Sequence, residues 1–295
     1  METKIVYDTL YGYKRIDPIP TKEELGVYYK EKYFKLIENG DRAQELHRQK
    51  KGGKEAKEEL EWLNKTLYKD ILDTLEKFVD NGRRLLDVGS GAGAFLRFAR
   101  NNGWKVIGVE PSDEGVGMSL DADIPMYNMT LDEFAKSKHG EFSAITLLNV
   151  LEHVPNPVEV LMSVRNLVVP DGIVCIRVPN DFSEMQIYAG KKIGKKRWWV
   201  VTPDHINYFD FESLRGLLNS VGLDVVLNTT DFPMEMFLMM GDDYVGNQAL
   251  GTECHKKRRN FEMAMPDELR RAMYKMLASI GIGRSCIVYA KRKSR

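Results

Sequence analysis

The chain reads as an α/β protein built on a mostly parallel sheet of seven strands. Three observations predict it. From Arg84 onward, short apolar runs bounded by glycine, proline or acid alternate with stretches of helical spacing. One run, Leu85-Leu86-Asp87-Val88, opens directly into Gly89-Ser90-Gly91-Ala92-Gly93 and a helical segment. Another, Lys105–Val109, ends in Glu110 about 20 residues downstream, the spacing of a Rossmann-like βαβ unit.

Strands are expected near Arg84–Val88, Lys105–Val109, Ile124–Tyr127, Phe142–Leu148, Gly172–Val178, Leu223–Thr229 and Arg284–Ala290, with helices at Ala94–Asn102, Pro157–Leu167 and Phe211–Val221. Upstream, Thr21 and Glu24 have the spacing of a capping box, so a short aromatic-faced helix should follow. Leu60, Leu63, Leu67, Ile71, Leu72 and Leu75 then recur at helical spacing. This divides the chain into a helical cap and arm (1–80), an α/β domain (81–230) with an insertion at 181–205, a second insertion (231–283) and the last strand (284–295). Insertions at strand ends are where such folds carry substrate specificity.

The 295 residues, 43% hydrophobic and 29% charged, suffice for a full core. Lys plus Arg (43) equals Asp plus Glu (43), so no long-range field draws the protein to nucleic acid or to an anionic membrane. No apolar run approaches the roughly 18 residues of a membrane span, and Met1-Glu2-Thr3-Lys4 begins no secretory signal, so a cytoplasmic protein is expected. Cys175, Cys254 and Cys286 are widely spaced and read as buried thiols; neither they nor the five histidines follow a metal-closing spacing, and no metal is expected.

Alternating glycines let the backbone turn tightly and approach a ligand where any Cβ would collide. The helix beyond offers free N–H groups to an anionic part of that ligand. Glu110, ending the next strand, is placed to accept both hydroxyls of an adenosine ribose. Because Ala94 can stand as the third small residue of a dinucleotide fingerprint, a nicotinamide-dependent oxidoreductase remains the alternative. Asp87, two residues before the first glycine, separates the two: it suits an ammonium, directly or through water, and repels a pyrophosphate.

These residues resemble the class I S-adenosylmethionine-dependent methyltransferases, whose first motif is acid-x-Gly-x-Gly-x-Gly, here Asp87, Gly89, Gly91 and Gly93. Leu148-Asn149-Val150-Leu151-Glu152-His153-Val154-Pro155 resembles the fourth-strand segment of quinone and sugar methyltransferases, and His205-Ile206-Asn207-Tyr208-Phe209 a pattern after the fifth strand. The segment around Thr21–Phe34 resembles a leader of sugar and natural-product methyltransferases; with no cysteine there, the zinc site that can precede it is not implied. The resemblance implies S-adenosylmethionine as cofactor, Gly89, Ser90, Gly91 and Gly93 beneath its methionine end, Glu110 on the ribose, Thr130 and Leu131 along the adenine edge, and Asn149 near the amine. An N-terminal helix commonly covers this crevice in the resembling enzymes, which makes Tyr28, Tyr29, Tyr33 and Phe34 lid candidates, Tyr33 foremost. The implied reaction is methylation of a small-molecule acceptor, with O-methylation of a sugar or natural-product intermediate as first choice.

An alcohol acceptor gains from a general base, and His153 and His205 are the candidates; capping of the helix near Asn156 and ring packing are their ordinary readings. Lys191, Lys192, Lys195, Lys196 and Arg197 before Trp198-Trp199 would suit a phosphorylated sugar, a nucleotide or RNA, although such a run, like Lys256-Lys257-Arg258-Arg259, is ordinarily a solvated face. An RNA-binding or inactive cofactor-binding relative is the third reading. Met234, Met236, Met239 and Met240 beside Phe237 and Leu238 offer core packing or the contact of a homodimer.

Overall fold

The computed structural model describes residues 4–28, 35–36, 51–79, 82–119, 121–137 and 141–293. Its centre is a seven-stranded sheet in the order β5-β4-β3-β6-β7-β10-β9, formed by β3 (Arg84–Val88), β4 (Lys105–Val109), β5 (Met126–Tyr127), β6 (Phe142–Leu148), β7 (Val168–Pro179), β9 (Leu223–Thr229) and β10 (Ser285–Arg292). Strands β3 to β7 pair in parallel, whereas β10 runs antiparallel to both neighbours. The expected sheet is therefore present. Only Met126–Tyr127 of the segment expected from Ile124 pairs as a strand, and the Gly172–Val178 strand extends to Val168–Pro179.

Both faces of the sheet are covered, which is why its central strands are apolar throughout. Leu86, Val88, Ile145 and Leu147 point to one side, against α7 (Pro157–Leu167) and α9 (Phe211–Ser220) through Leu161, Val164, Leu214 and Leu218. Leu85, Ala144 and Cys175 point to the other, against α2 (Gly53–Lys65), α3 (Leu67–Phe78) and α4 (Ala94–Asn101) through Trp62, Ile71, Leu75, Phe95 and Leu96. Each such leucine contributes roughly 1.5–3 kcal/mol. All three cysteines are buried, and no described helix is long and apolar enough to cross a membrane.

The N-terminal region is not wholly helical. Strands β1 (Lys4–Tyr7) and β2 (Lys14–Asp17) form a hairpin that β8 (Asn207–Tyr208) extends to a three-stranded sheet. Local spacing could not reveal this, because the partner of β2 lies in the segment after β7. The capping box is present: Glu24 N donates to Thr21 Oγ1 at 3.2 Å and Thr21 N to Glu24 Oε2 at 2.8 Å, starting α1 (Lys22–Tyr28).

The stretch before β10 forms α10 (Glu235–Met240), α11 (Gln248–Ala264) and α12 (Asp267–Ser279). It docks on α2 and α3 largely through ion pairs. Arg270, almost fully buried, donates to both Asp70 oxygens at 2.9 Å and to Asp267 at 3.0 Å, and Arg271 donates to Asp70 at 2.8 Å and Asp73 at 2.7 Å. The run Lys256–Arg259 is thus only half solvated, since Arg258 is buried against Glu262 and Asp231 and Arg259 reaches Glu58. The earlier basic run is tied down as well: Lys195 meets Asp243 at 2.8 Å and Lys192 donates to the Met239 carbonyl.

Truncating a buried member of such a cluster strands its partners. Arg270→Ala should lower the unfolding free energy by about 3 kcal/mol, the low end for a broken buried pair because Asp70 keeps Arg271. Urea unfolding of the two proteins measures the difference, and a loss within a few tenths of a kcal/mol would show that these pairs do not hold the insertion.

Candidate functional site

Strand β3 delivers its glycine loop to the carboxyl end of the sheet, where parallel α/β folds place ligands. Gly89 has φ +67°, and a Cβ there would stand 2.7 Å from Val150 Cγ2, so the loop lies against the β6 turn. Gly91, at φ +51°, would point its Cβ at nothing within 4 Å. Packing therefore does not demand glycine at 91; its left-handed backbone does, and it leaves a bare peptide facing the cleft. The amides of Gly89 and Ser90 both donate to the Val109 carbonyl, at 2.8 and 3.2 Å, tying the loop to β4.

Glu110 follows β4 and crosses to the loop. Its Oε2 accepts from Gly91 N at 2.9 Å, and its Oε1 from Ser112 N at 2.9 Å and Ser112 Oγ at 2.7 Å, just ahead of α5 (Asp113–Gly117). The loop and the acid expected to act with it are thus brought into direct contact. Ser90 Oγ lies 3.6 Å from Met126 Sδ, and Gly93 caps α4 in the left-handed conformation. Asp87 sits beneath, buried, accepting from Thr146 Oγ1 at 2.6 Å. Burial pushes its carboxyl up, the Thr146 hydroxyl opposes and the Glu110 charge adds, to about 7.

Asn149 ends β6 at φ +62°, rare for a residue with a Cβ. The strain is held by partners: Arg177 donates to its Oδ1, its Nδ2 donates to Glu152 Oε1 at 2.9 Å, and its backbone N to the Arg177 carbonyl at 2.8 Å. Thr130 caps α6 (Leu131–Lys136) in a capping box with Glu133, and the Leu131 side chain is buried in the core, so at that segment only backbone is placed to meet a ligand. Tyr33 lies outside the described residues, as do Tyr29 and Phe34, whereas Tyr28 is buried.

Beyond Asn149 the chain turns through Glu152 and His153. Ile206 N and Asn207 N donate to the Glu152 carbonyl at 2.7 and 3.1 Å, and Asn207 Nδ2 donates to the carbonyls of Leu151 and Val154 at 2.8 and 2.7 Å. This clamp brings His205 beside His153, their rings edge to face at 5.0 Å. His153 Nδ1 lies 2.8 Å from the Asp204 carbonyl and 3.2 Å from its carboxylate. Burial would lower the imidazole, but the hydrogen bond to Asp204 and the Glu152 charge outweigh it and hold His153 at about 9. The helix α7 is capped by Asn156, not by His153.

Between β7 and α8 (Glu184–Ile193), Asp181 is pushed up to about 8 by burial, with the Glu152 and Glu235 charges adding and Gln186 opposing. Asp181 Oδ2, Gln186 Oε1 and Glu152 Oε2 are buried oxygens without a hydrogen-bond partner. The surface clefts around Lys69, Asp73 and Arg83, and around Thr74, Lys77 and Lys275, contain none of the expected site residues. Sequence reasoning passed over Glu152, Arg177, Thr146, Asp181 and Asp204. The signal for two of them was available: Thr146 interrupts the apolar end of β6 and Arg177 the apolar run from Ile173 to Val178 of β7, positions that require a partner.

Residues 60–228 match the family model described as "Methyltransferase domain". A ubiquinone biosynthesis O-methyltransferase of Dechloromonas aromatica is 32% identical over 114 residues, 37% of this chain and 49% of that enzyme. C-methyltransferase NovU of Streptomyces niveus is 27% identical over 175 residues, 55% of this chain and 40% of that one. The chain spans about half the length of the curated relatives it matches first. Two solved structures share the fold: Burkholderia thailandensis 1,6-didemethyltoxoflavin-N1-methyltransferase, with its didemethyltoxoflavin and S-adenosylhomocysteine bound (TM-score 0.53, 12% identity, 100% of both chains), and magnesium protoporphyrin IX methyltransferase of Synechocystis with bound SAH (TM-score 0.53, 13% identity, 92% of this chain and 100% of that one).

A buried acid raised to about 7 costs stability as it ionises. Asp87 starts from the usual value near 3.8, so its folded form binds the proton more tightly and stability falls as pH rises through that window to about 7. Asp87→Asn, which keeps an acceptor for Thr146, should stabilise the ligand-free protein at about pH 8 and much less at about pH 4. Thermal unfolding at both pH values checks this; a gain that is equal at the two would mean Asp87 does not titrate there.

Proposed function

The chain belongs to the methyltransferase-domain family, and from that premise we propose that it moves the methyl group of S-adenosylmethionine to a small hydroxyl-bearing acceptor, by O-methylation of a sugar or natural-product intermediate. One observation carries the reading: Glu110 stands 2.9 Å from Gly91 N at the mouth of a loop whose floor is bare backbone. An acid in that position can exchange its loop contacts for the two hydroxyls of a ribose, while the amides it held stay within reach of the ligand.

The residues fit that cofactor. A Cβ at Gly89 or Gly108 would strike Val150 or Met126 and displace the walls of the cradle. The Asp87 carboxyl under the loop, near its titration point when alone, is ionised by a neighbouring ammonium and would be driven further toward the neutral acid by the diphosphate of a nicotinamide cofactor. Asn149 offers its strained carbonyl at the same end, and the turn at Thr130 and Leu131 offers backbone to a base. When bound, S-adenosylmethionine supplies a methyl carbon made electrophilic by sulfonium charge, which an acceptor oxygen takes as the sulfur leaves as a neutral thioether. The protein's task is then to align that oxygen at about 3 Å and to remove its proton.

The acceptor side supports a polar substrate. Asp181 Oδ2 and Gln186 Oε1 are buried and lack hydrogen-bond partners after the carboxyl end of β7. A molecule rich in O–H or N–H groups would satisfy them, whereas an apolar one would leave them desolvated. His153 and His205 stand at this end, clamped by β8: His205 is assigned to take the acceptor's proton, and His153, held protonated near neutral pH by Asp204 and Glu152, to donate a hydrogen bond to the acceptor.

Calorimetric titration with S-adenosylhomocysteine tests the cofactor reading. The wild-type chain should bind it, and Glu110→Ala should weaken binding roughly 10- to 100-fold, about 1.5–3 kcal/mol for a charge-assisted pair. Unchanged affinity in that variant would remove Glu110 from the ribose. Incubation of the chain with the methyl donor and a panel of glycosides and phenols should yield an O-methyl ether by mass spectrometry, and N- or C-methylated products alone would overturn the choice of oxygen.

A further inference from the structure

We infer that the acceptor carries an ammonium group, which Asp181, Gln186 and Glu235 hold beside the hydroxyl that is methylated. The inference rests on the methyl-transfer reading and narrows its substrate class to hydroxylated small molecules that bear an amine.

The three side chains come from two elements that follow β7 in the chain. Asp181 and Gln186, 4% and 6% exposed, lie at the start of α8, and Glu235, 3% exposed, opens α10, which packs against α8. Gln186 hydrogen-bonds to both carboxyls. A side-chain amide has two N–H donors and one oxygen. With its donors turned to the acids, the Gln186 Oε1 meets no partner, and neither does Asp181 Oδ2. Two oxygens this deeply buried and left open call for a donor from outside the chain.

The same pocket is short of positive charge. Asp181 feels the charges of Glu152 and Glu235, and no arginine or lysine forms an ion pair with Asp181 or Glu235 among the described residues. Arg177 is committed to Asn149 and Asp231, and Arg284, whose charge reaches both acids, is exposed. The neighbouring Tyr244 phenol, raised by burial, stays neutral. Burial first, and then the surrounding acids, push both the Asp181 and Glu235 carboxyls up, so the ligand-free pocket holds protons.

An ammonium answers both deficits. It has three N–H donors and no acceptor, and its charge lets Asp181 ionise, which shortens and strengthens the bonds between them. A hydroxyl brings one donor and no charge. A shared metal ion does not suit, because among the described residues neither Asp181 nor Glu235 joins a trio of ligand atoms within 4.8 Å of one another.

The turn that carries Asp181 is fixed. Asp181 N donates to the Phe209 carbonyl at 2.8 Å, and Asn180 Nδ2 to the carbonyls of Gly281 and Gly283 at 2.9 and 3.0 Å. Phe182 follows with φ +59°, its ring edge to face with Trp199 at 5.5 Å, so aromatic surface adjoins the acid. Glu152 links the pocket to the methyl-transfer end of the cleft, since it leaves β6 two residues after Val150, the wall against Gly89. A binding group on so rigid a base sets the orientation of what it holds.

The test titrates the whole chain, in excess S-adenosylhomocysteine, with methyl glucoside and with methyl glucosides in which an amine replaces each ring hydroxyl in turn. Near neutral pH at least one amine should bind about fivefold more tightly than methyl glucoside, or better. Calorimetry in two buffers of different ionisation enthalpy should show a proton released as it binds, given up by the pocket to face the charge. Asp181→Asn and Gln186→Met should each bring the preference below that margin, and either decides the matter should the other not fold by far-UV circular dichroism. Glu212→Gln, at an exposed acid on α9, should keep the preference. A smaller preference for every amine, amine binding without proton release, or a preference that persists in either folded pocket variant overturns the inference. S-adenosylhomocysteine binding is measured beforehand without sugar. A chain that binds it but is indifferent to the amines sinks the ammonium alone, and one that prefers an amine without binding it sinks the methyl-donor reading alone.

Discussion

A carboxylate bridging two neighbouring strand ends is the contact on which the site depends. Glu110 is buried, and it is satisfied only because the glycine loop turns Gly91 N toward one oxygen and the Ser112 turn supplies the other. Register makes this geometry unavoidable: Val88 pairs with Val109, so the residues that follow β3 and β4 leave the sheet side by side. A one-residue slip would turn every apolar side chain of β3 to the wrong face, which both covered faces forbid. Core packing and ligand geometry are therefore specified by one pairing.

A second chain of polar contacts ties this centre to the periphery. Asn149 is held by Arg177, Arg177 donates to Asp231 at 2.9 Å, Arg258 meets Asp231 at 3.4 Å and Glu262 at 3.2 Å, and Trp62 Nε1 donates to Glu262 at 2.8 Å. Buried ion pairs of this sort add little net stability, since desolvation offsets attraction, but they are intolerant of wrong geometry. The left-handed Asn149 costs about 1 kcal/mol, and the Arg177 and Glu152 contacts are what hold it. The helices inserted before the last strand thus set the conformation of a residue beside the glycine loop.

How much of this was legible in the sequence depended on how local the signal was. The β3–loop–α4 unit and Glu110 could be read because each signal lies within a few residues, and the capping box at Thr21 was equally local. The three-stranded sheet was not legible, because β8 pairs with a strand as far away in sequence as Lys14 is from Tyr208, and two-residue strands carry no periodicity. The Glu152, His153, Asp204 and His205 cluster hid for the same reason: the two histidines read singly as a cap and a packing ring, and only the Asn207 clamp makes them neighbours. The basic run at 256–259 misled because composition cannot say which of four adjacent cations face inward along a helix, as Arg258 does.

The placement of β10 between β7 and β9 has a bearing on synthesis. Among the described strands β9 lies at the sheet's edge and pairs with β10 alone, so it has no partner there until the chain beyond Ser285 exists. A nascent chain emerging from the ribosome can assemble β3 to β7 and their helices while β7 presents an unsatisfied ladder of peptide groups to its surroundings. Closure must await translation of the final strand, and in that interval the exposed border is open to chaperones or to another unfinished copy.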